Sequence, residues 1–173
     1  LFGPENMLTL ERVRSADCDV IAILCAWELR SEGLSHVWRF MIGSDLGDIA
    51  MTFSSFLERN PSSHFNRGAM LVAFNQWFEC QDRINTCDHM TLNYIDEILL
   101  EEGADGFGNK VPTHICVELL SALPDKTGYL QGMGKKILSE HKYAGLSDEM
   151  NQVHFYHIMR DMESTIVENV AFR

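Results

Sequence analysis

The chain has 173 residues, 46% of them hydrophobic and 23% charged, a size that suits one ordinary domain able to bury its own apolar core. Its 14 Lys and Arg stand against 25 Asp and Glu, leaving a net charge of −11. Such a chain repels phosphate backbones and anionic headgroups, which argues against sequence-independent nucleic-acid binding and against membrane partners; no apolar run approaches the ~20 residues of a membrane span.

Apolar residues recur at three- and four-residue spacing almost throughout, and alternating strand patterns are scarce. The first long segment is expected over about residues 9–32, with Val13, Ala16, Val20, Leu24 and Trp27 in one stripe and Gly33 as the stop. A short helix follows over 35–41. Ser44 is expected to cap a helix running to about residue 58, with Asp45 and Asp48 in its first turn, where the macrodipole favours negative charge.

Asn60-Pro61 predicts the next start, a cap followed by proline at the first helical position. That helix carries Met70, Ala73, Phe74, Trp77 and Phe78, and its aromatics are expected to anchor the core. Asp82 is placed to cap a helix holding Ile84, Leu92, Ile95, Ile98 and Leu99, which ends at Gly103. Residues 103–112 predict a loop, 113–122 a shorter helix, and Pro124-Asp125 a turn. A short helix is expected around 135–141. Ser147-Asp148-Glu149 opens a last long helix reaching about residue 170. The expected fold is a single all-α domain, residues 1–173, of seven or eight helices.

Cys18 and Cys25 are seven apart, as are Cys80 and Cys87, and Cys116 stands alone. Seven helical residues rise about 10.5 Å, too far for a disulfide within either pair; bonds between the two helices stay open. Buried free thiols in a reducing compartment are expected, which places the chain in the cytoplasm. The chain starts at Leu1, and Leu1-Phe2-Gly3-Pro4 lacks the basic and apolar regions of a signal peptide. A preceding segment is therefore a place where missing chemistry could stand.

Seven histidines are scattered so that no two are four residues apart, and the HExxH pattern of zinc proteases is absent from these residues. His154, His157 and Asp161 fall on one face of the last helix and are competent metal ligands. They also lie opposite the Phe155, Met162 and Ile166 stripe, where a solvated face belongs. Gly128-Tyr-Leu-Gln-Gly132-Met-Gly134-Lys135-Lys136 lacks the spacing, the preceding strand and the Ser or Thr of a phosphate loop. Asp105-Gly-Phe-Gly-Asn109 has Phe107 where an EF-hand needs an oxygen ligand. Cys87-Asp88-His89 has the residue types of a thiol site, but adjacent helical side chains diverge. On the first helix, Glu11, Arg14, Asp17, Asp19 and Glu28 decorate a strongly apolar middle, and Arg14 can pair with Asp17 one turn on.

Three stretches carry a resemblance: Arg14-Ser-Ala-Asp17-Cys-Asp19, Ala26-Trp27-Glu28-Leu29 and Ala73-Phe74-Asn75-Gln76-Trp77-Phe78, extended by Arg83 and Asp88-His-x-Thr91-Leu92. Over residues 10–100 the chain resembles a bacterial family of unknown function that is provisionally classed as zincin-like metallopeptidases. The resemblance implies zinc-dependent peptide hydrolysis, with an HExxH helix upstream of an acidic, Ala-rich helix. Two departures stand out, the absent HExxH and Ser15 in place of a glutamate. The resemblance makes Asp17 the first candidate metal ligand, with Glu11 behind it; helical spacing alone makes His154, His157 and Asp161 the second set. No zinc is expected to be held by this chain alone; zinc enters if an N-terminal motif precedes Leu1. The alternative is a non-enzymatic helical module whose acidic surface meets a basic protein partner.

Overall fold

The computed structural model describes residues 1–60, 66–123 and 128–171. Among them nine α-helices form: α1 (Pro4–Ser31), α2 (Ser35–Ile42), α3 (Gly47–Arg59), α4 (Asn66–Trp77), α5 (Gln81–Glu102), α6 (Thr113–Leu120), α7 (Gly134–Ser139), α8 (His141–Ala144) and α9 (Glu149–Ala171). A 3-10 turn, Gly103–Phe107, follows α5. The one extended pairing among the described residues is an isolated antiparallel bridge between Ala122 and Gly128. The fold is all-α. No described helix is long and apolar enough to cross a membrane.

The helix ends follow local chemistry. α1 begins five residues before its expected start because Pro4 suits the first helical position, where no amide hydrogen is needed. It ends as expected at Gly33, whose φ of 91° suits a residue without Cβ. There Leu34 N–H reaches back to the Leu29 carbonyl (2.9 Å) and Gly33 N–H to that of Arg30 (3.1 Å), closing the helix. The expected start of α3 at Ser44 is corrected to Gly47. The Ser44 hydroxyl accepts the Leu46 amide (3.2 Å) within a turn, and a Cβ at Gly47 would stand 2.3 Å from the Ile42 carbonyl oxygen. Asp148 caps α9 from the expected place, its Oδ2 accepting the Asn151 amide at 2.9 Å. The helix expected around 135–141 is two, because Glu140 adopts extended backbone (ψ 130°) between α7 and α8. The expected Pro61 helix start and the Pro124-Asp125 turn lie outside the described residues.

The chain divides into two compact units. The first comprises Leu1–Arg12, Asp82–Val117 and Met133–Arg173. In it Met7 and Leu8 of α1, Leu92, Ile95 and Ile98 of α5 and Ile158 of α9 form a buried cluster, with Phe107, Phe155 and Met162 packed against it. The second unit comprises Val13–Gln81 and Glu118–Gly132. Its aromatics interlock: Trp27 meets Trp38 edge-on at 5.0 Å and Phe53 at 6.0 Å, and Phe74 stands 5.1 Å from Phe78. Trp77 and Phe78 are core residues as expected, only 1% and 5% exposed.

Candidate functional site

The acidic stretch of α1 folds within the second unit. Ala16, Val20 and Ile23 are fully buried and define the inward face of the helix. At about 100° per residue, Asp17 and Asp19 fall on opposite flanks of that face, while Cys18 and Cys25 point away from it. Each carboxylate is met by an aromatic side chain from a distant segment. The Trp77 indole N–H donates to Asp19 Oδ2 at 2.9 Å, and the Tyr129 hydroxyl donates to Asp17 Oδ1 at 2.7 Å. Tyr129 in turn lies edge-on to Phe74 at 6.0 Å. Residues of two resembling stretches, on α1 and α4, are thus joined through hydrogen bonds and ring contacts.

Burial pushes the Asp17 carboxyl above its ordinary value, and the Tyr129 hydrogen bond pulls in the opposite sense. Tyr129 is driven far above the usual tyrosine range, first by burial and then by the negative charge of Asp17. At neutral pH the phenol is therefore a donor that holds Asp17 in place. It has no access to a phenolate and is no candidate base.

The first unit holds a buried ion pair that sequence reasoning missed. Arg12 and Asp88 side chains are each 1% exposed. Arg12 Nε and Nη2 donate to the two Asp88 oxygens at 2.5 and 2.8 Å, and Nη1 donates to the carbonyls of Tyr143 (2.7 Å) and Gly145 (3.1 Å). Burial raises Asp88, opposed by the hydrogen bond and charge of Arg12. A signal was available: Arg12 lies one turn from both Leu8 and Ala16 in the apolar stripe, where a cation requires a buried acceptor. Asp88 turns inward while His89 stays exposed, beside Asn93 at 3.3 Å, so Cys87-Asp88-His89 does not converge.

The second ligand set also separates. His154 is half-buried rather than solvated, its Nε2 lying 2.5 Å from Asp96 Oδ2, which corrects its assignment to the solvated face. His157 and Asp161 are exposed, and Asp161 lies 3.3 Å from Arg160. Glu11 is half-buried on α1 and belongs to the first unit, whereas Asp17 belongs to the second. All five cysteines are free, but Cys18 and Cys25 are exposed, which corrects the expectation of buried thiols there. Among the described residues, no three His, Cys, Asp or Glu side chains gather as a metal site requires.

A family model described as "Putative metallopeptidase family (DUF6782)" matches residues 2–131. The chain belongs to that family. No curated protein and no solved structure matches it. Membership in the metallopeptidase family reaches further than the 10–100 stretch of the resemblance, taking in α1 to α6 and Tyr129. His154, His157 and Asp161 fall outside the matched span. The resemblance implies zinc, and the described residues do not fit it. Asp17 closes onto a tyrosine and Asp19 onto a tryptophan, neither beside two further ligands.

Proposed function

We propose that these residues form a helical support domain of a metallopeptidase-family protein, and that zinc and hydrolysis reside outside them. The observation that carries this reading is the pairing of Asp17, the first candidate ligand, with the Tyr129 hydroxyl at 2.7 Å. A carboxylate held this way orders the fold around the family's own acidic stretch. The missing HExxH supports the same reading, since a catalytic zinc needs three protein ligands and a base beside its water. Five free thiols favour a reducing compartment, the cytoplasm. The net charge of −11 supports a second reading, a module that meets a basic partner and performs no chemistry.

Elemental analysis after dialysis against zinc, with a peptide-hydrolysis assay on the same sample, tests the proposal. The expected outcome is less than stoichiometric metal and no cleavage. One zinc per chain that is lost in Asp17→Ala would overturn it and make α1 a wall of the metal centre. One zinc lost in His154→Ala or His157→Ala would overturn it too, and would move the site to α9.

A further inference from the structure

Within the second unit a groove of about 450 Å³ runs along α3 beside Val72 of α4. Its α3 wall repeats at helical spacing. Met51 and Phe56 supply apolar surface with Val72, while Thr52, Ser55 and Arg59 supply polar groups. Ser55 and Arg59 are one turn apart and so share a face. Phe56 is seated against α4 at Gly68, where a Cβ would stand 2.6 Å from the ring. The groove floor is thus set by a glycine that no larger residue can replace without moving the ring.

The Arg59 guanidinium and the Ser55 hydroxyl make no hydrogen bond or ion pair with another described residue. Asn60 turns its amide back to the Phe56 carbonyl (2.9 Å), and Arg59 is the one charged side chain among the described residues that line the groove. A guanidinium that lines a partly apolar groove favours a carboxylate carrying an apolar group. The Ser55 hydroxyl suits the amide that precedes a peptide's terminal carboxylate, and Thr52, whose hydroxyl donates to the Asp48 carbonyl (2.9 Å), can only accept from it.

We propose that the α3–α4 groove binds the free carboxyl terminus of a peptide ending in an apolar residue. Because the chain as a whole repels anions, such binding depends on the local guanidinium. The proposal stands apart from the metal question, since binding by the purified chain is read without zinc or turnover.

Calorimetric titration with N-acetyl-Ala-Phe, its carboxamide and octanoate tests it. The acid is expected to bind, with the carboxamide weaker by about tenfold or more, the scale of one charge-assisted hydrogen bond. Arg59→Gln is expected to lose the same factor with unchanged circular dichroism, and Arg59→Lys to recover part of it. Equal binding of acid and carboxamide, an unaffected Arg59→Gln, or no binding at millimolar peptide would each overturn the proposal. Tighter binding of octanoate than of the peptide would overturn the peptide assignment and point to free fatty acids.

Discussion

Arg12 and Asp88 show how a single charged residue in an apolar stripe commits a fold to a partner far along the chain. Four donor contacts give every guanidinium nitrogen a partner, and no buried side-chain nitrogen or oxygen among the described residues is left without one. Removing one member strands the other. Arg12→Met is therefore expected to cost about 3–5 kcal/mol in urea unfolding, and Arg12→Met with Asp88→Leu to recover much of that loss. A single-variant cost below about 1 kcal/mol would mean that water reaches Asp88. Tyr129 invites a different measurement. Its folded-state pKa is raised, so its contribution is whole below the unfolded value near 10 and is lost as pH rises beyond it. Wild-type stability is expected to fall across that alkaline range, and Tyr129→Phe to flatten the fall. Parallel pH profiles for the two proteins would rule the phenol out as the cause. Asp17, also raised, has the same sign at acid pH: its contribution is whole below 3.8 and declines as pH rises through the folded value.

The described side chains of α4 are densely buried. Ala69, Met70, Ala73, Phe74 and Trp77 are all buried to 1% exposure or less, and the indole nitrogen has its acceptor in Asp19. Truncation of Trp77 to Ala removes a large aromatic group and leaves Asp19 without a donor it now has. The expected cost is about 3–5 kcal/mol, seen as a melting temperature lower by several degrees. A melting point within about two degrees of the parent would show that the site collapses freely. α9 is tied to α5 differently, by Asn151 donating to the Asn85 carbonyl (3.0 Å) and by His154 against Asp96. Asn151 and His154 lie two turns and one turn before Ile158 on the same side of α9, and the burial of Ile158 supplies the apolar contact.

For the molecule as a whole, 25 acidic residues stand against 14 basic ones. Self-repulsion at −11 opposes the compact state, and counterions screen it within a Debye length of about 10 Å at 0.1 M salt. Raising salt from about 10 mM to about 0.2 M is expected to raise the melting temperature. A fall instead would mean that exposed ion pairs such as Lys136–Glu140 outweigh repulsion. Metal content belongs to this scale too, because it asks whether any of the ligand types meet in three dimensions.

Helical periodicity, caps and glycines made the all-α class, the C-terminal end of α1 and the start of α9 legible, because those signals act over a few residues. The stripe of Met70, Phe74, Trp77 and Phe78 likewise told its own burial, since spacing alone places it on one face. What the pattern could not reveal was which acceptor each buried polar group would find. Arg12 meets Asp88 across 76 residues, and Tyr129 meets Asp17 across 112. Such pairings depend on how helices cross, and helix crossing is decided by the whole set of packed side chains rather than by any local rule. The same reason explains the ligand set on α9. Spacing put His154, His157 and Asp161 on one face, but only the tertiary structure decided that His154 turns to Asp96 and leaves the others in solvent.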